Sequence, residues 1–146
     1  MLLTNLANRV QPILRYDLGD SVLVRPNPYP CGSPLPAIQV HGRTADALIF
    51  PAAHGTPVAI TPLTLPALLD RVPGIELAQI RQTAPATVGV GLRSTPEADR
   101  TAVWRTLSAE MTTLLRGHGL HVAVVLDDEP PRPSPGGKYR LVEPLR

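Results

Sequence analysis

The sequence predicts an α+β protein, on three observations. Residues 1–25 are short apolar, β-branched runs, LLTNL, PILRY and SVLVR, broken by polar turn residues. Residues 58–126 alternate between strand-like and helix-like apolar periodicity in the order β-α-β-β-α-β. Residues 127–137, DDEPPRPSPGG, are then too rich in proline for either element. The middle order is that of a ferredoxin-like domain, a four-stranded antiparallel sheet with two helices on one face. The expected layout is a few antiparallel strands over 1–41, then a ferredoxin-like domain over 42–146 that carries the arm at its end.

Each element has its own warrant. PNPYPCGSPLP (26–36) is a loop, and AIQVHGR (37–43) is a short strand leading through Gly42. DALIF (46–50) is a second apolar run, PAAHGTP a turn, and VAI (58–60) a brief strand. Thr61-Pro62 and Thr64 offer caps for a helix carrying Leu63, Leu65, Leu68, Leu69 and Val72, which stops at Pro73-Gly74. IELAQIRQTA (75–84) reads as a strand. TVGVGLR (87–93) puts Val88, Val90 and Leu92 on one face and Gly89 and Gly91 on the other. Thr95-Pro96-Glu97 supplies a cap, a first-turn proline and an acid for a long helix. Its apolar stripe is Val103, Leu107, Met111 and Leu114, and Gly117 and Gly119 end it. LHVAVVL (120–126) is nearly continuous in apolar residues, as an inner strand would be. YRLV (139–142) is suited to a terminal strand.

Composition excludes several function classes. The chain is 3% aromatic, so its core is built from Leu, Val, Ile and Ala. A net charge of +2, with no basic stripe interleaved with aromatics, argues against nucleic acid. No apolar run approaches the roughly 20 residues that span a bilayer, and the N-terminus lacks a basic leader, so a cytoplasmic protein with no membrane partner is expected. Cys31 is the sole cysteine and reads as a small buried thiol, with no nucleophile's partners. His118 and His121 straddle a helix end without a third ligand, so no metal site is expected; His41 and His54 have no partner in sequence. Trp104 on the long helix reads as core or interface. The 14 basic residues are 13 Arg and one Lys, Lys138, a position suited to a compact ammonium on a flexible stem.

Three stretches in this order carry a resemblance. LTNLANRVQPILRYDLGD (3–20) resembles the segment of adenylate-forming enzymes that ends in Tyr-x-x-Gly-Asp, GRTAD (42–46) their Gly-Arg-x-x-Asp hinge, and SPGGKYRLV (134–142) their Gly-Lys-x-Arg segment. The Asn-Leu-Ala-Asn lead-in and the Pro-Cys-Gly loop are similar to the phenylacetate–coenzyme A ligase and coenzyme-F synthetase branch. The resemblance implies that the chain is the C-terminal part of an ATP-dependent acyl–CoA ligase. Residues 1–41 would then be remnant strands of the large domain's barrel, and 42–146 the mobile C-terminal domain. It further implies ATP/AMP and CoA as ligands, Tyr16, Asp20 and Arg43 as nucleotide contacts, Asp46 as the hinge, and Lys138 as the catalytic residue. Asp20 would accept two hydrogen bonds from the ribose diol, and Lys138 would neutralise charge developing at the α-phosphate. Asp17 reads as a turn residue. The family's phosphate loop and its magnesium ligands are absent from this sequence, so the chain alone is expected to be inactive. Its strands over 1–25 are expected to join a second copy as a homodimer or higher oligomer. The rival expectation is a stand-alone ferredoxin-like module that binds a ligand or dimerises. Ala45 stands where the branch commonly has a second Asp.

Overall fold

The computed structural model describes residues 2–26, 30–33, 35, 37–43, 46–52, 55–134 and 136–145. Thr44, Ala45, His54 and part of the Pro-rich loop lie outside the described residues, as does the side chain of His41. The chain divides into two compact units, Met1–Ala45 and Asp46–Arg146.

The first unit holds two antiparallel strand pairs. β1 (Leu2–Asn5) pairs with β2 (Ile13–Asp17), and β3 (Asp20–Val24) pairs with β4 (Ile38–Arg43). The turn between β2 and β3 is built by its own residues: the Asp17 carboxylate accepts from the Gly19 amide at 2.9 Å, and Gly19 adopts φ +69°, which favours glycine. Ala37 alone is buried among the described residues of this unit. Leu2, Leu14, Leu23 and Val24 are each more than half exposed. Cys31 is exposed, not the buried thiol expected, because a proline-rich loop gives its side chain no core to enter.

The second unit contains the hydrophobic core, which runs from Leu48 to Val142. β5 (Leu48–Phe50) and β6 (Val58–Ile60) form an antiparallel pair. α1 is Thr64–Leu69, β7 Ile75–Ala84, β8 Thr87–Ser94, α2 Arg100–Gly117, β9 Ala123–Leu126 and β10 Val142–Glu143. The main sheet has the order β10-β7-β8-β9. Its central pair is antiparallel and both outer pairs are parallel.

This corrects the ferredoxin-like expectation. Residues 58–60 pair with 48–50 and do not enter the four-stranded sheet, and the edge place falls to β10, so the sheet is mixed. The reason is length and partner: β6 has three residues, and all three pair with Leu48–Phe50. β9 is an edge strand, not an inner one, and its Val125 is 44% exposed.

Helix boundaries also shift. α2 starts at Arg100 because the Asp99 carboxylate accepts from the Thr101 amide at 2.9 Å, while Thr95–Ala98 close a turn of their own. Its buried stripe is Val103, Leu107, Met111 and Leu115, the last in place of Leu114. α1 stops short of Val72, where the chain continues as two tighter turns that still bury Val72. Trp104 packs, partly buried, against the core.

The two faces of the main sheet are unlike. Ala78, Ile80 and Gln82 of β7 lie in register with Leu92, Val90 and Val88 of β8, and this face meets the core. Gln82 is buried there with its amide satisfied by the Ile49 carbonyl at 2.7 Å, which ties the β5–β6 pair to the sheet. On the opposite face Gln79 and Arg81 stand in register with Gly91 and Gly89.

Candidate functional site

The glycine face is where the Pro-rich arm lies. A Cβ at Gly91 would meet the Glu129 carbonyl oxygen at 2.8 Å and Arg81 Nη1 at 3.2 Å. A Cβ at Gly89 would meet Asp127 Oδ2 at 3.3 Å. Bare backbone on β8 therefore makes room for residues 127–131 to cross it.

Polar side chains of β7 hold the arm there. Arg81 Nη1 donates to Asp127 Oδ2 at 2.6 Å and to the Glu129 carbonyl at 3.3 Å. Arg81 Nη2 donates to the Pro130 carbonyl at 3.1 Å and to Gln79 Oε1 at 2.5 Å. Nε completes an ion pair with Glu143 at 3.4 Å. The rigid five-donor fork of a guanidinium is used on every side. Gln79 is fully buried; its Nε2 donates to the carbonyls of Arg132 (3.2 Å) and Arg140 (3.0 Å), and its Oε1 accepts from the Arg132 amide at 3.1 Å. The Tyr139 hydroxyl donates to the Ala78 carbonyl. Beyond the clamp, Ile80 N donates to the Leu141 carbonyl at 2.8 Å and β10 begins.

Lys138 sits between the clamped segments. Gly137 N donates to the Ser134 carbonyl at 2.8 Å, and Ser134 N to the Lys138 carbonyl at 2.9 Å, so hydrogen bonds close a turn between Ser134 and Lys138. Lys138 is exposed on it. Two residues further, exposed Arg140 Nη1 lies 3.7 Å from the half-buried Asp46 carboxylate, a long pair of small energetic weight. A shallow cleft of about 440 Å³ between Gly74, Glu76 and Leu77 at the start of β7 flanks Tyr139 and Leu141.

Tyr16, Asp20 and Arg43 belong to the first unit. Asp20 opens β3 directly opposite Arg43 of β4, a cross-strand pair in register, and Tyr16 stands opposite Leu3 on β2, 58% exposed. Lys138 and Asp46 belong to the second unit. Among the described residues no group of three or more His, Cys, Asp or Glu is placed to hold a metal ion, and no helix is long and apolar enough to cross a membrane.

Two titrations report on the clamp. Burial pushes the Asp127 carboxyl up, but the Glu129 amide and the Arg81 guanidinium outweigh it and hold the group below its ordinary 3.8. Burial pushes the Tyr139 phenol above 10.0, against the pull of Arg81 and Arg93 and with a further push from Glu143. Asp127 therefore contributes stability above pH 3.8 that is lost as pH falls through its lowered folded value. Tyr139 contributes stability below pH 10.0 that is lost as pH rises through its raised folded value. A difference titration of tyrosinate absorbance, the chain minus Tyr139→Phe, is expected to have its midpoint above pH 10.0. A midpoint at or below 10.0 would place the phenol in water.

Sequence reasoning singled out Lys138, which the structure places on the exposed turn, and did not single out Arg81, Gln79, Asp127 or Glu143. The signal was present: two glycines on one face of β8, and two long polar residues, Gln79 and Arg81, at the facing positions of β7.

No protein-family model and no curated protein matches the chain. Among solved structures, the chain is similar to the crystal structure of 2-hydroxyisobutyryl-CoA ligase in its postadenylation state with 2-HIB-AMP, at 20% identity and a TM-score of 0.56. The match covers 92% of this chain and 29% of that ligase. The likeness is one of fold: nearly the whole chain is built as a minor stretch of an acyl-CoA ligase is built.

Proposed function

We propose that the chain is the C-terminal part of an ATP-dependent acyl-adenylate-forming ligase of the phenylacetate–coenzyme A ligase type. The overlap of 92% of the chain with 29% of a CoA ligase is the observation that carries the reading. The placement of the sole lysine on an exposed, clamped turn supports it. In this reaction a carboxylate oxygen attacks the α-phosphate of ATP and pyrophosphate leaves. The CoA thiol then attacks the acyl carbon, AMP leaves and a thioester forms. Lys138 offsets negative charge at the α-phosphate oxygens in the first step. Asp20 accepts from the ribose diol, Arg43 adds a donor beside it, and Tyr16 lines the nucleotide. Asp46 is the pivot between the two half-reactions. Among the described residues no cluster fits a magnesium site, so no step is assigned to the metal in this chain.

The chain is inactive by itself in this reading, because it offers no cradle for the triphosphate. Its first-unit strands, with their exposed apolar residues, associate with a second copy when no large domain covers them. The test is ATP–pyrophosphate exchange on purified chain, expected at background, and again with an ATP-binding domain supplied, where exchange is expected. Exchange by the chain alone overturns the inactivity, and none in the supplemented sample overturns the ligase reading. Light scattering of the same preparation is expected to report a dimer or larger, and a chain starting at Gly42 a monomer.

A further inference from the structure

We infer that Arg81, seconded by Gln79, is the positioning residue of Lys138: it holds the Pro-rich arm on the glycine face of the main sheet and so fixes where the lysine turn stands. The inference rests, for its catalytic consequence, on the ligase reading; its structural content does not.

Four observations carry it. The contacts of Arg81 and Gln79 bracket Lys138, reaching residues 127, 129, 130 and 132 before it and 140 and 143 after it. Both side chains are withdrawn from water, Gln79 wholly and Arg81 to 11% exposure, so their partners are not exchanged for solvent. The glycines opposite them leave the arm no side chains to rest on, and the polar contacts take that place. The helices pack on the other face, and Val142, buried at 3%, anchors the end of the arm in the core. Loosening the clamp therefore frees the lysine turn without dismantling the domain. Lysine cannot replace Arg81, since one ammonium does not reach acceptors on three sides of the fork.

The isolated full chain provides the test, because Lys138 is its sole lysine. Reductive methylation with ¹³C-formaldehyde labels that amine and the N-terminus alone, giving one resonance that reports the lysine's order. In Arg81→Met the Lys138 resonance is expected to sharpen towards free-chain mobility. The Arg132 amide, bonded to Gln79 in the parent, is expected to exchange at least about tenfold faster. Amides of α2 keep their protection, and Arg81→Lys restores the parent signature only in part. Gly91→Ala reaches the same end by another route: its Cβ at 2.8 Å from the Glu129 carbonyl displaces the arm while every charge remains. Should Arg81→Met fail to fold, Gly91→Ala decides. An unchanged Lys138 resonance and unchanged Arg132 exchange in a folded variant overturn the inference. With an ATP-binding domain supplied, Arg81→Met is expected to lower kcat for adenylation and leave the KM for ATP unchanged. If the supplemented parent shows no exchange, the ligase reading falls while the clamp stands; if Lys138→Ala abolishes turnover and Arg81→Met matches the parent, the positioning role falls.

Discussion

Replacing Lys138 by alanine is expected to cut adenylation about a hundredfold or more, a loss of about 3 kcal/mol of transition-state stabilisation, as for other single preorganised charges. The measurement is ATP–pyrophosphate exchange with an ATP-binding domain supplied. Lys138 is exposed and is not a member of the hydrophobic core, so the change is expected to leave folding alone and the loss to read as chemistry. Lys138→Arg is expected to restore activity incompletely, because a planar fork does not present its charge as a compact ammonium does. Exchange by the alanine variant at the parental rate would remove the role assigned to this residue.

The second large effect is on stability. Phe50 is the sole phenylalanine and is 1% exposed, within the core although its strand lies outside the main sheet. Phe50→Ala is expected to cost about 3–5 kcal/mol, through lost burial and the cavity left behind. Urea unfolding followed by Trp104 fluorescence measures it, since that indole packs against the same core. A loss below about 1 kcal/mol would mean that the β5–β6 pair rests on the domain without completing it.

What the sequence made legible follows from where its patterns are local. β7 and β8 were readable to within a residue because their alternation faces one core side. The end of α2 was readable because Gly119 takes φ +73°. Pairing was less legible. A strand as short as Val58–Ile60 has too little pattern to name its neighbour, and β10 joins β7 across a long separation in sequence. The apolar run at 120–126 suggested an inner strand because it resembles one in composition, yet β9 has a neighbour on one side only. Asp99 outcompeted Thr95 as the helix cap, a local contest that spacing does not decide. Lys138 stood out in the sequence by its uniqueness, and its place on an exposed turn is what the structure adds. The glycine face of β8 hinted at its clamp, but the partners of Arg81 lie some 46 to 49 positions downstream, one a side-chain carboxylate and two backbone carbonyls, and no motif records them.

The late arrival of β10 bears on how the domain is made. β7 is ten residues long, and its outer edge is capped midway by a segment that follows Gln79 by about sixty residues. While the chain is being synthesised, β7 and β8 emerge first and present that edge unguarded, with the Gln79 amide and the Arg81 guanidinium lacking their arm partners. An unguarded strand edge recruits other strands, and nascent chains on one messenger stand close together. Pairing of Leu141–Glu143 with β7 thus acts as a closure that ends a window of vulnerability to co-translational aggregation. Truncation just before Tyr139 would hold that window open for the life of the protein.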